Sequence, residues 1–322
     1  MKTKKNNHLL PRMVIKRWEE HNGKIYDKEK DQIRPVEQLD YSKEYYYSLG
    51  KVDDELENRI SSFEAYIGII LKQLNEATDN VELSEKDMEI LKLYVALQGC
   101  RNDNTSSYIN YDESGIYQNN NYIFGVPLIT TQDEAVGLTS LICDEFERIR
   151  KLDNKIKHNN DYQVMTFEGN HSIVNVGLHL VIVGNDSYGF LVSETTAVVE
   201  CTMDGDYLFI YVPVSPKIGL ILAKSKYFYT KDNIENTKVR LGRKYGGCLD
   251  PYLSEVLDDK KLVFNGKIKD GKVTFEIVRL NEDEIVKLNN VIYEDGHRIL
   301  FSNEDALNNA KIDNPSRKII VD

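Results

Sequence analysis

The chain has 322 residues, of which 41% are hydrophobic and 29% charged, with a formal net charge of −11 at pH 7. That length is ample for a buried core, and the composition is that of a globular protein, which excludes a disordered or low-complexity chain. The acidic balance argues against a generic nucleic-acid coat, because phosphate binding leaves a basic excess, and no run reaches the ~18 uncharged apolar residues of a membrane helix.

The chain opens with Asn7-His8-Leu9-Leu10-Pro11-Arg12, followed by Met13 to Trp18. A proline is well placed at the first helical position, where its missing N–H would have no partner anyway. Leu10, Val14 and Trp18 then share one face, with Arg12, Lys16 and Arg17 mostly away from it. His8 falls beside this helix N-terminus, among backbone donors that attract anions. Lys24–Asp27 and Gln32–Arg34 read as two short strands around a charged turn. From about Val52 to Ala77, Leu56, Ile60, Phe63, Ile67, Ile70 and Leu74 alternate spacings of four and three, the stripe of a long helix. A second helix begins at Ser84, with Asp87 three residues on, and reaches Arg101; no strand is expected between 52 and 100. Asn102 to Asn121 is a polar loop rich in tyrosine and asparagine, and a third helix runs from Thr131 to about Leu152.

After Asn160 the pattern changes to short β-rich runs: 162–167, 175–183, 189–193, 197–202, 207–214 and 218–223, then 261–264 and 273–278. Gly184-Asn185-Asp186-Ser187 and Asp204-Gly205-Asp206 supply turns between them. A last helix is capped by Asn281 with Glu284 and stops at Gly296. Helices first and strands second predict an α+β fold, with a helical half over 1–160 that includes the short N-terminal hairpin. It packs on a mostly antiparallel β half over 161–322 that ends in a helix.

Cys100, Cys143, Cys201 and Cys248 are scattered without CxxC spacing, so they read as free thiols in a reducing, cytoplasmic setting and not as a metal site. The lysines at the N-terminus are followed by no apolar run of a signal peptide, and no membrane partner is expected.

Several blocks resemble the DUF4238 family of uncharacterised bacterial proteins. They are His8-Leu9-Leu10-Pro11 (an HxxP motif) with Trp18; Tyr46-Tyr47 with Leu56-Glu57 and Glu64; Leu91 to Arg101; Phe190-Leu191-Val192-Ser193-Glu194; and Pro213-Val214-Ser215-Pro216. The segment around Leu288-Asn289-Asn290 is also similar. Where the family shows Ser-Asp followed by proline, this chain has Ser193-Glu194-Thr195-Thr196, with a longer acid and no turn-fixing proline. The resemblance supplies no reaction; it implies an accessory bacterial protein, and defence against phage is a role it suggests.

His8, Glu64 and Arg101 are the residues best suited to chemistry. Arg101 continues the phase of Ile90, Tyr94 and Leu97, and a buried arginine needs a carboxylate such as Glu64. The set would serve as a histidine acid/base, a carboxylate to orient it and an arginine for phosphate, or equally as a helix-to-helix ion pair with His8 as a satisfied cap. Arg12 would join this pocket. Ser193 and Glu194, at a strand end, are further substrate-binding candidates, although no nucleophile elbow surrounds the serine. Asp250, Glu255, Asp259 and Lys261 only faintly suit a metal-dependent nuclease, and no HExxH, P-loop, dinucleotide or EF-hand motif occurs. The arginine-to-histidine spacing of RNase-type helical domains is also missing, Arg17 and His21 being one residue too close. The 20 tyrosines could stack on bases or serve as core and rim. The expected function is thus an intracellular phosphate-ester hydrolase or nuclease acting on nucleic acid or nucleotide. The alternative is a non-catalytic binding or regulatory module for a protein or small ligand.

Overall fold

The computed structural model describes residues 10–36, 54–100, 122–123, 126–127, 132–152, 163–167, 170–174, 178–186, 188–193, 197–201, 208–224 and 265–311. Helix α1 (Arg12–Glu19) leads into β1 (Lys24–Asp27) and β2 (Gln32–Pro35), then α2 (Asp54–Glu76), β3 (Asn80–Ser84) and α3 (Glu85–Cys100). A short pair, β4 (Tyr122–Ile123) and β5 (Val126–Pro127), precedes α4 (Gln132–Arg150). Next come β6 (Gln163–Phe167), β7 (Asn170–Val174), β8 (Leu178–Gly184), β9 (Val192–Ser193), β10 (Val198–Cys201), β11 (Leu208–Pro213) and β12 (Ile218–Lys224). The chain closes with β13 (Lys267–Lys269), β14 (Lys272–Glu276), β15 (Val278–Arg279), α5 (Glu282–Asp295), β16 (Arg298–Phe301) and α6 (Glu304–Ala310).

The fold is α+β, with long helices early, strands mostly late, and antiparallel pairing dominant. The largest sheet has the order β10-β11-β12-β8-β15, antiparallel except where β15 joins β8 in parallel. A second runs β2-β1-β16-β9 and a third β13-β14-β3, so strands from early in the chain complete sheets with strands from its last sixty residues or so.

Four expectations about elements need correction. A strand, β3, lies at 80–84, inside the stretch read as purely helical. Its Val81 and Leu83 are buried and alternate with exposed Asn80 and Glu82, a period-two pattern too short to stand out between two long helices. The run read as one strand at 175–183 is preceded by β7, and 273–278 divides into β14 and β15. Pro11 is the N-cap of α1, with ψ of 136°, and the helix proper starts at Arg12. The polar loop, the acids from Asp250 to Asp259 and the strand at 261–264 lie outside the described residues.

Helix α3 sits at the centre. From Met88 to Gln98 every residue except Ala96 is buried, and the helix touches α2, α4, β3, β8, β11 and β12. Its start is fixed by Ser84, whose Oγ accepts from Asp87 N (3.0 Å) and donates to the Asp87 carboxylate (2.6 Å). Tyr66 of α2 donates to that same carboxylate (2.8 Å), and Phe63 and Tyr66 stack against Phe146 of α4. Arg59 ties α2 to Asp144 of α4 further up. These contacts tie α2 to both α4 and the start of α3.

The α5 cap is the capping box the sequence predicts: Asn281 Oδ1 accepts from Glu284 N (3.0 Å) and Glu284 Oε2 accepts from Asn281 N (2.8 Å). Replacing Asn281 with Ala should lower stability by about 1 kcal/mol, read by urea unfolding. An unchanged midpoint would show that tertiary packing alone holds this helix start.

Candidate functional site

The amphipathic face of α1 decides where the N-terminal residues go. Leu10, Val14, Ile15 and Trp18 are buried, which leaves Arg12 and Lys16 exposed on the other side. The helix lies across α2 at Gly68, where Met13 packs in van der Waals contact and Arg17 Nη2 donates to the carbonyl oxygen (3.3 Å). Glu64 precedes Gly68 by four residues, hence by one turn on the same face of α2, and is half-buried. The first turn of α1 contains no acidic residue and no side-chain cap. Val14 and Ile15 already donate to the Pro11 carbonyl, while the N–H groups of Arg12 and Met13 precede the first intrahelical bond.

The structure therefore brings the helix that starts at Arg12 to within about a turn, ~6 Å along α2, of Glu64. It does not bring Glu64 to the far end of α3. Tyr66, two residues from Glu64, bonds Asp87 in the first turn of α3, and Cys100 lies ~20 Å further along that helix axis. His8, Arg101 and Glu194 lie outside the described residues.

Ser193 is fully buried on β9, opposite Ile299 of β16. Gly296 approaches it so closely that a Cβ there would collide with the serine side chain. Its hydroxyl is therefore turned into the protein and closed to solvent, which suits a packing role.

Around it, blocks distant in sequence converge. Asn289 of α5 accepts from Leu191 N (2.9 Å) and donates to the Gly189 carbonyl (3.0 Å), holding that segment from both sides. Asn185 does the same one layer on, donating to the Pro216 carbonyl (2.8 Å) and accepting from Gly189 N (2.9 Å). Ser215 Oγ accepts from Lys217 N (3.1 Å) and Ile218 N (3.0 Å), closing the turn between β11 and β12. Gly189 has φ of +89°, a backbone state only glycine enters easily. The blocks 190–193, 213–216 and 288–290 are therefore one polar junction inside an apolar core, bonded through Asn185, Ser215 and Asn289, with Asn290 Oδ1 left without a partner among the described residues.

Sequence reasoning missed Asn185, and did not foresee that the segments of Asn289 and Ser215 are joined through Gly189, Phe190 and Pro216. Nor did it single out Glu85, Glu89 and Lys92, buried on one face of α3 with Glu89 and Lys92 paired at 3.3 Å. Their spacing of four and three was visible as a charged stripe, but such a stripe usually faces solvent. Among the described residues, no group of three or more histidine, cysteine or acidic side chains is placed to hold a metal ion, and no helix is long and apolar enough to cross a membrane.

An α+β chain with an interleaved sheet system, a fully covered central helix and an HxxP-led helix docked beside a glutamate defines the class of protein. The family model described as "Protein of unknown function (DUF4238)" matches residues 6–306, nearly the whole chain, and the protein belongs to that family. No curated protein and no solved structure matches it.

Asn289→Ala leaves the Gly189 carbonyl and the Leu191 N–H buried without their partner, at roughly 1–3 kcal/mol for each group stranded. A large drop in melting temperature is expected. A variant as stable as the parent would show that water replaces the amide at no penalty.

Proposed function

We propose that the protein is a phosphate-ester hydrolase acting on nucleic acid or nucleotide, with the N-terminal end of α1 as its working surface. The observation that carries the reading is the docking of α1. Its first turn is acid-free and uncapped with Arg12 exposed, the helix crosses α2 at Gly68, one turn from Glu64, and His8 precedes that first turn by only four residues. A helix N-terminus and an arginine suit a phosphate, and a histidine with a carboxylate suits proton transfer to a leaving oxygen. In this reading His8 is the acid/base, Glu64 orients it and Arg12 binds the phosphate. Arg101, which follows Cys100 at the other end of α3, belongs to a separate test. Intracellular action in defence against phage is the setting that the family resemblance favours.

Purified full-length protein incubated with RNA, DNA and nucleotide substrates tests this. The expected outcome is cleavage that His8→Ala abolishes while the melting temperature barely moves, and that Glu64→Gln lowers by about 10²–10⁴-fold. A His8→Ala variant that is destabilised yet fully active overturns the catalytic role. Failure of the parent protein to cleave any of these esters overturns the hydrolase reading and leaves the binding module standing.

A further inference from the structure

The opposite end of α1 holds an unexplained deficit. His21, just past the end of α1, follows Trp18 by three residues and Arg17 by four. Arg17 engages Glu20 through Nη1 (2.9 Å) and the Gly68 carbonyl through Nη2. Its Nε, the indole Nε1 of Trp18 and the imidazole Nε2 of His21 are buried without a hydrogen-bond partner among the described residues. Buried polar groups in native proteins are nearly always bonded. Arginine Nε and tryptophan Nε1 can only donate, so what this corner lacks is an acceptor.

The charges specify which kind. Lys217, exposed on the Ser215-closed turn, comes from a different part of the chain: Lys24, three residues after His21, pairs with Phe301, and Gly189 lies against both Ser302 and the Pro216 carbonyl, which sets that turn beside the end of α1. The Lys217 carbonyl is fixed by Asn185 N (3.0 Å), so the turn is held in place. Burial foremost, then Lys217, keep the His21 imidazole below its ordinary value; Arg17 adds to this, and Glu20 opposes it. Arg17 and Glu20 act from its own helix and Lys217 from the packed turn. The carbonyls at the helix end would repel an anion, but that of Trp18 already accepts from Gly23 N (2.7 Å) and His21 N (3.0 Å), and that of Lys16 from Glu20 N (3.0 Å).

We propose that the C-terminal end of α1 and the Ser215–Lys217 turn form a binding site for a phosphoryl group, held by Lys217, His21 and the Arg17 guanidinium. A tetrahedral dianion presents oxygens in several directions and matches a corner that becomes more cationic when His21 takes up a proton. Binding is therefore linked to protonation of His21. The site uses none of the residues of the His8–Arg12–Glu64 reading, and each stands or falls separately.

The full chain, isotopically labelled at histidine, is titrated by NMR in inorganic phosphate and in chloride of matched ionic strength. The His21 signal is identified by its loss in His21→Asn. Phosphate should raise the His21 midpoint by roughly one unit, the effect of a new opposite charge at close range. Lys217→Gln, at an exposed position that leaves the fold intact, should remove that rise and weaken phosphate binding several-fold. An equal midpoint in the two salts overturns the proposal, as does an undiminished rise in Lys217→Gln.

Discussion

Helix α3 is buried on every side although one face carries charged residues, and covering it is the requirement that the rest of the chain meets. Only Ala96 interrupts its burial between Met88 and Gln98. At ~25 cal/mol per Å² of apolar surface withdrawn from water, such a helix has far more to gain from full enclosure than from forming a surface stripe. One flank is closed by α2 and α4, whose aromatic side chains Phe63, Tyr66 and Phe146 stack together. The other is closed by the β8, β11 and β12 strands of the large sheet. The Glu89–Lys92 pair is carried into this enclosure. A buried pair of this kind adds little net stability while intact, yet losing one partner is expected to cost ~3–5 kcal/mol, so neither residue is free to vary alone.

Enclosure draws strands from both halves of the chain together. The β3 strand, between α2 and α3, pairs with β14 from the C-terminal region, and β1 pairs with β16. Each pairing joins a strand from early in the sequence to one from late in it, and the first of them sets β3 and β14 against α3. The parallel joining of β15 to β8 is part of the same closure, because Leu280 N then donates to the Gly184 carbonyl (2.9 Å) and leads directly into the α5 cap. That cap aims Asn289 at the Gly189–Leu191 segment. Local hydrogen bonding at Asn281 therefore reaches the polar junction through one rigid helix.

The parts legible in the sequence were those set by local periodicity. Leu56 to Leu74, Leu10 to Trp18 and the Asn281–Glu284 box each declare themselves within a turn or two of helix, and each stands where the pattern puts it. What the pattern could not show is partnership across long separations. Val81 and Leu83 make a strand only because β14 is there to pair with it, and Ser193 reads as an accessible turn serine until Gly296 is seen closing over it. The same holds for the site. Arg17 and His21 were noticed as a spacing one residue short of a known pattern, but nothing local reveals that Lys217, some two hundred residues on, faces the same imidazole. Glu64 was chosen by phase alone. Phase fixes which face of α2 it occupies but not which end of α3 lies beside it.

The two ends of α1 differ in a way that bears on both readings. At the N-terminal end the backbone supplies donors and Arg12 is exposed, so an anion there would be bound by a surface that water also satisfies. At the C-terminal end the donors are side chains already withdrawn from water, and their environment cannot relax to find substitutes. Gly23 folds back so tightly that a Cβ at that position would stand 2.6 Å from the Trp18 carbonyl oxygen, so only glycine completes the turn. Trp18 itself is fully buried and cannot swing outward without surrendering the apolar face that docks α1. Cations near a helix C-terminus do favour its dipole, and Arg17 with Lys217 could be explained that way. That explanation accounts for their charge but not for a guanidinium Nε left without an acceptor, which an anion between Arg17, His21 and Lys217 would supply.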